Sequence, residues 1–466
     1  MKGFVSFARW THICALILLA VGLLGARAKA APAAQAAPQD THKIYLPLVD
    51  KRPLPANQPA SQSFFLPYEF PNDGVQNINT TDIVIDSLGG IHMIYEIVQF
   101  NRRLVYAYCP ADCVDASKFA TAVFAVGTPE DPGSIYTADL QLDLLGRPRI
   151  MWQQFNELHL IWCNANCTSA AGWSDVKVHD IQGLDWEGQP FVIDRQGAHH
   201  YVYTDDEVEN VTYYLYCQTD CTAAANWTQA KIADREYESA ALAVTSDGRP
   251  RFLFQSYTES FDGYLGYAEC NANCLEQASW TFKTLDLFGS GSGTFSLKLD
   301  QQNRPRIALS PWYTDGGGFP KQQITYLWCN ANCASAATTW GQALLPVPGE
   351  DIAISSIAMA LDGNSRPVVA FNESGSGMML ARCTANCEST AATWAIELFD
   401  STAWLNQNVQ VPPKSGCSFP TWSTGYRTAI ALDSAGKPRV SYDTNHLWLC
   451  GSSVSTDIKW ARYKQW

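Results

Sequence analysis

After residue 24 the chain has no long apolar run. A membrane-spanning helix needs roughly 20 consecutive apolar residues, so no later segment can serve as one. Basic clusters are also missing. The 32 Lys and Arg stand against 45 Asp and Glu, for a formal net charge of −13, and such a chain repels phosphate backbones, which argues against nucleic acid as a partner. Histidine is scarce: eight occur, one of them within the first 30 residues, leaving few candidates for a histidine-based catalytic centre. There is no His-Glu-x-x-His, no Gly-x-Ser-x-Gly and no phosphate loop, which removes the usual metalloprotease, α/β-hydrolase and nucleotide-binding signatures. Gly289-Ser-Gly-Ser-Gly293 is too lax to cradle phosphate. No metal site and no cofactor is expected.

What is present begins with an export signal. Lys2 and Arg9 precede the apolar run Ile13 to Leu24, and Ala28-Lys29-Ala30 supplies small residues for cleavage. Residues 1–30 are thus read as a signal peptide and 31–60, rich in Ala, Pro and Gln, as a linker unable to build a core. Within the linker, His42 to Val49 is an apolar patch, open to reading as a docking peptide or a spacer. Removing four N-terminal cations leaves a mature chain of about −17, expected to be secreted or at the cell surface, without a membrane span, and monomeric.

Residues 61–466 carry the fold. Apart from Cys14, fourteen cysteines remain, an even number that in an exported chain points to disulfides. Twelve form six identical spacings: Cys109/Cys113, Cys163/Cys167, Cys217/Cys221, Cys270/Cys274, Cys329/Cys333 and Cys383/Cys387. Successive pairs lie 54, 54, 53, 59 and 54 residues apart, a period that signals repeated supersecondary units. An alternating strand precedes each pair. An aromatic follows it by six or seven residues: Phe119, Trp173, Trp227, Trp280, Trp340 and Trp394. Each Cys-x-x-x-Cys is therefore a hairpin loop. Zinc would need four ligands where each pair offers two, so structural disulfides are expected, pinning hairpins at the surface.

A second motif recurs out of phase: an apolar strand, Asp-x-x-Gly-Arg/Lys-Pro, then a strand ending in an aromatic. Full forms start at Asp143 and Asp433, looser ones at Asp86, Asp194, Thr245, Asp300 and Asp362. Six residues beyond each start stands His92, Arg149, His200, Arg251, Arg306, Val368 or Arg439; a base here can pair with its own turn Asp or join a ring for an anion. Four short strands per unit and seven units predict an all-β fold, a seven-bladed β-propeller of four-stranded antiparallel blades, with a linear solenoid as competitor. The last unit has no cysteine pair. Tyr463 is taken to stand at the first-cysteine position, and the missing strand is expected from Phe64 to Tyr68, closing the ring. Cys417 and Cys450 are expected to bond across one rim, in loops on the face opposite the six short pairs.

The unit Ala429 to Tyr442 with Ile458 to Arg462 resembles repeats of exported bacterial propellers in the broad sialidase-like (Asp-box) group. The likeness to the Asp-box is partial, because the motif here joins first and second strands rather than third and fourth. The group's Phe/Tyr-Arg-Ile-Pro segment is absent, so none of its carboxylate-binding arginines is carried over.

Function is expected on the variable loops between second and third strands, where acids accompany aromatics. Candidate ligand-binding residues are Glu96, Asp205, Glu259, Trp312, Asp315, Glu373 and Asp443. The first expectation is a secreted, non-catalytic propeller binding extracellular glycan or protein through this face. The alternative is a glycoside hydrolase or polysaccharide lyase using acids of the same face, which would need two converging carboxyls, one raised in pKa. A surface adhesin is a third reading.

Overall fold

Two turns set the repeat, and both depend on residues that tolerate left-handed backbone. The computed structural model describes residues 63–66, 81–97, 103–125, 135–154, 157–181, 187–205, 211–234, 237, 239–257, 263–285, 294–314, 320–347, 354–373, 375–409, 415–451 and 453–466. The expected signal peptide 1–30, the linker 31–60 and the apolar patch 42–49 lie outside the described residues.

In the Asp turn, Asp143 Oδ1 accepts the Leu145 and Arg147 N–H groups, both at 2.9 Å. Gly146 turns at φ +72, and Asn303 and Ser365 take the same place in their units at φ +60. The cysteine loop has an equal requirement, met one residue before the second cysteine. Asp112, Asn166, Asp220, Asn273, Asn332 and Asn386 all sit at φ between 51 and 58, where Asn and Asp are the non-glycine residues best tolerated.

The tryptophan that follows closes the loop, its indole N–H donating to the second cysteine's carbonyl. Trp173 reaches Cys167 and Trp227 reaches Cys221 at 2.8 Å, Trp280 reaches Cys274 at 2.9 Å, and Trp340 reaches Cys333 at 3.1 Å. Two units depart from this pattern. Phe119 has no N–H to offer Cys113, and the Trp394 indole makes no bond to Cys387.

The described residues build seven four-stranded antiparallel units, the architecture of a propeller; the fourth gains a fifth, parallel strand, Glu187–Gln189, and a separate two-stranded ribbon, Trp312–Thr314 with Pro320–Gln322, accompanies the fifth. The first strands of the seven units are Thr81–Ile85, Ile135–Leu142, Phe191–Ile193, Ser239–Val244, Phe295–Leu299, Ile357–Leu361 and Cys417–Leu432. Each first strand contacts that of the next sheet, and the seventh contacts the first. The apolar core is divided accordingly, with every cluster shared by two successive sheets. Ile94, Leu104 and Tyr106 of the first sheet meet Leu140, Ile150 and Trp152 of the second. Ala429, Ala461 and Tyr463 of the seventh sheet meet Ile83, Met93 and Tyr95 of the first.

In the seventh sheet Phe64 pairs with Tyr463 and Phe65 with Arg462, so a strand from the start of the described chain forms its outer edge. The register also corrects one expectation. Arg439 stands opposite Gln465 as Arg149 stands opposite Trp162, so Trp466, not Tyr463, holds the first-cysteine position. Tyr463 instead aligns with the buried column of Tyr106, Tyr214, Tyr267 and Tyr326.

All seven cysteine pairs are bonded. Cys109–Cys113, Cys163–Cys167, Cys217–Cys221, Cys270–Cys274, Cys329–Cys333 and Cys383–Cys387 span Cα–Cα distances of 5.6–5.9 Å. Each closes a loop worth about 2 kcal/mol of chain entropy. Their placement corrects the expectation of surface staples. Cys113 and Cys333 are buried inside apolar clusters beside Cys109 and Cys329, and Cys221 is buried too. Cys167 and Cys274 pack half-buried against clusters, and Cys387 is likewise half-buried. The reason is covalent: every first cysteine is buried, and the short bond draws its partner inward.

A plain hairpin is also corrected in four units, where a short 3₁₀ turn follows the second cysteine. These turns are Ala116–Lys118 after Cys113, Ala170–Gly172 after Cys167, Ala224–Asn226 after Cys221 and Gln277–Ser279 after Cys274. Cys417–Cys450 is different again: the two residues sit opposite each other in a ladder, Cα atoms 4.1 Å apart. The loops expected around them are instead extensions of the strands, which run 16 residues from Cys417 and 13 residues to Cys450. Among the described residues no helix is long and apolar enough to cross a membrane.

Candidate active site

Each first strand runs from the variable-loop side towards its Asp turn, and its side chains alternate. The position three residues before the turn faces the preceding sheet, as Ile83, Leu140 and Leu297 do in their clusters. The position four before it faces onward and is polar in three sheets: Asp82, Asp139 and Ser296. There it braces the next sheet. Asp82 accepts the N–H of Ile83 through Oδ1 and of Leu140 through Oδ2, both at 2.8 Å. Asp139 Oδ2 takes the Phe191 N–H at 3.3 Å, and Ser296 Oγ takes that of Met359 at 3.2 Å.

Asp82 and Asp139 are 6% and 4% exposed, too dry for ordinary carboxylates. Burial pushes Asp82 up to about 6, although the two backbone donors and the charge of Lys298 pull the other way. Lys298 lies two residues before its turn in the fifth sheet, yet it interacts with Asp82 and Asp139 of the first and second sheets. Burial holds its pKa below the usual lysine value while those two carboxylates raise it. Charge interactions thus link, across the first strands of three sheets, a carboxyl with its pKa raised to about 6, a second acidic side chain and an amine. A group that titrates near the working pH can both give and take a proton. Among the described residues no cluster of three or more metal-binding side chains occurs.

A second polar belt sits ten residues after each turn start, at the variable-loop end of the second strands. It comprises Glu96, Gln153, Thr204, Gln255, Ser310, Asn372 and Asp443, all buried. Three of its members hold the chain in or just before a first strand. Asp443 Oδ1 accepts the Arg427 N–H at 2.8 Å, Asn372 Oδ1 accepts those of Ser355 and Ser356 at 2.7 and 3.0 Å, and Thr204 Oγ1 accepts that of Tyr237 at 3.3 Å.

Of the residues singled out from sequence, Glu96 and Asp443 belong to this belt, in adjoining sheets, and both are fully buried. Glu373 is half-buried at the end of its strand. Asp205 ends a second strand and Trp312 opens a short ribbon. Glu259 and Asp315 lie outside the described residues. Sequence reasoning passed over Asp82, Asp139 and Lys298. Their signal was a charge inside an apolar first strand, four residues before the turn for Asp82 and Asp139 and two for Lys298.

On the disulfide side the bases of the Asp turns pair with their own turns. Arg149 to Asp143 is 2.6 Å, Arg306 to Asp300 2.7 Å, Arg439 to Asp433 2.8 Å and His200 to Asp194 3.1 Å.

No family model matches the chain, and no curated protein does. Solved structures resemble it in fold at low identity. An ulvan lyase matches with 10% identity and a TM-score of 0.48, over 83% of this chain and 96% of its own. An α-L-arabinanase of Penicillium chrysogenum matches with 12% identity and a TM-score of 0.45, over 68% and 94%. A lectin of Burkholderia pseudomallei matches with 11% identity and a TM-score of 0.46, over 82% and 98%. Polysaccharide-cleaving enzymes recur among these matches, and that finding overturns the expectation of a non-catalytic binder.

Proposed function

We propose that this chain is an exported seven-bladed propeller, closed by its N-terminal strand, that cleaves extracellular polysaccharide on the face opposite the six short disulfides. The electrostatic coupling of Asp82, Asp139 and Lys298 carries this reading: buried acids from two adjoining sheets interact with a lysine from a third. Succession of the first-strand contacts from seventh back to first supports the closed ring. In this reading residues 1–30 direct export and 31–60 tether the propeller.

As a hydrolase, protonated Asp82 delivers its proton to the glycosidic oxygen while ionised Asp139 promotes attack by water at the anomeric carbon. Burial lowers the pKa of Lys298, which supports a second reading: its amine, once deprotonated, removes the proton beside a uronate carboxyl and a lyase results. Glycan would lie across the loops bearing Asp205, Glu259, Trp312, Asp315 and Glu373.

A panel of neutral and acidic polysaccharides, assayed for new reducing ends and for absorbance of unsaturated ends, tests this. Reducing ends alone identify a hydrolase, and both signals together a lyase. Asp82→Asn and Lys298→Met should each lower turnover by about 10²-fold or more while the far-ultraviolet spectrum stays unchanged. Absence of cleavage across the panel, or full activity in both variants, would overturn the proposal.

A further inference from the structure

The repeat fills one position with a base in every sheet except the sixth. In the second, fourth, fifth and seventh sheets an arginine donates Nη1 to two backbone carbonyls. Arg149 reaches those of Pro148 and Cys163 at 2.9 Å, and Arg306 those of Pro305 and Cys329 at 3.0 Å. Its other nitrogen goes to the residue after the first cysteine, Asn164 at 2.9 Å and Asn330 at 3.0 Å. The sixth sheet has Val368 here and Thr384 in place of the asparagine. Valine cannot donate and leaves most of the guanidinium's volume empty.

A cavity of about 440 Å³ opens at that spot, between the Asp turns of the sixth and seventh sheets. From the third sheet to the sixth, neighbouring turns are stitched together. Gln196 Nε2 donates to the Ser246 carbonyl at 3.2 Å, the Ser246 N–H to Asn303 Oδ1 at 2.7 Å, and Gln301 Nε2 to the Gly363 carbonyl at 2.7 Å. The cavity lies between the next two turns, of the sixth and seventh sheets.

Its walls mix polar and apolar surface. Arg366 is spent on Asp362, Nη2 to Oδ2 at 2.7 Å, so those charges balance. Arg382, opposite Val368 in the ladder, is the surplus charge, half-buried and 5.9 Å from the Trp466 ring. Glu397, outside the lining and bonded to the Trp466 indole, also interacts with Arg382. Asn364, Thr384 and Ser434 add hydrogen-bonding groups. The volume falls in the range of small-ligand pockets.

We propose that this cavity binds an anionic sugar unit, its carboxylate or sulfate on Arg382 and its hydroxyls on Asp362 and the turn groups, as a second glycan site on the disulfide face. It stands independently of the Asp82 and Lys298 site, because it shares no residue with it.

Binding of D-glucuronate and of a sulfated monosaccharide to the full chain, each up to about 10 mM, can be read by saturation-transfer NMR. At least one should bind, and comparing the two separates carboxylate from sulfate recognition. Val368→Arg restores the residue the repeat uses elsewhere and should fill the cavity, weakening binding by about tenfold or more. Arg382→Gln is the second variant and should act alike, whereas Lys298→Met should leave this binding unchanged. Binding of neither sugar, binding of glucose equal to that of glucuronate, or undiminished binding in both cavity variants would overturn the proposal.

Discussion

Arg462 Nε lies 2.8 Å from Asp400 Oδ2, a fully enclosed ion pair joining the seventh sheet to the last strand of the sixth. Tyr442 donates to the same oxygen at 2.6 Å, and Arg462 Nη2 also reaches the Ser63 carbonyl at 3.3 Å. One guanidinium therefore holds two sheets and the N-terminal strand together. Arg462→Met strands a buried carboxylate and should cost about 3–5 kcal/mol. Adding Asp400→Asn should recover part of that loss. Urea unfolding of the two single variants and the double variant measures the coupling.

The Asp82 shift has a defined sign. Its folded pKa, about 6, lies above the unfolded value, so folding favours the protonated form. The resulting stabilisation is complete below about pH 4 and disappears as pH rises through about 6, a change on the order of 3 kcal/mol. Unfolding free energies from pH 4 to 7 should fall more steeply in the wild type than in Asp82→Asn. Parallel profiles would mean that Asp82 does not titrate in this window.

Left-handed residues in the cysteine loops give a third expectation. Asn332 stands at φ +52, where a β-branched side chain crowds the carbonyl. Asn332→Val should cost about 1–2 kcal/mol, while Asn332→Gly should be close to neutral. Thermal melts of the two variants check this.

Cys417–Cys450 should stabilise more than any short pair, since it closes a loop of separation 33 rather than 4. Replacing both cysteines by serine should remove about 3–4 kcal/mol on chain-entropy grounds. Hydrogen exchange should rise most in the projecting hairpin around Thr421 and Leu447, with little change in the sixth sheet.

The repeat was legible because it is written in covalent and conformational necessities: cysteine spacing, turn glycines, strand-starting prolines. Those features belong to single turns and need no knowledge of neighbours. The depth of Cys113 and Cys333 was not legible, because burial is set by the adjoining sheet that covers the loop. Asp82 and Lys298 were not legible either, since 216 residues separate them and only the arrangement of sheets couples their charges. Asp443 misled for the reverse reason. An acid at a strand end reads as surface, yet here it closes on the Arg427 N–H inside the belt. The Trp466 register was obscured because no cysteine marks it.

Phe64 and Phe65 lie against residues 462 and 463, so the molecule's first and last strands are partners. A chain made from its N-terminus must hold the Phe64–Phe65 strand in waiting until its partner has been made. The seam is then the last join made in folding and, being where strands from the two ends of the described chain meet, the first to bear a load applied there. A pulling experiment anchored at the two ends should open the molecule there, like a clasp, before any other sheet yields.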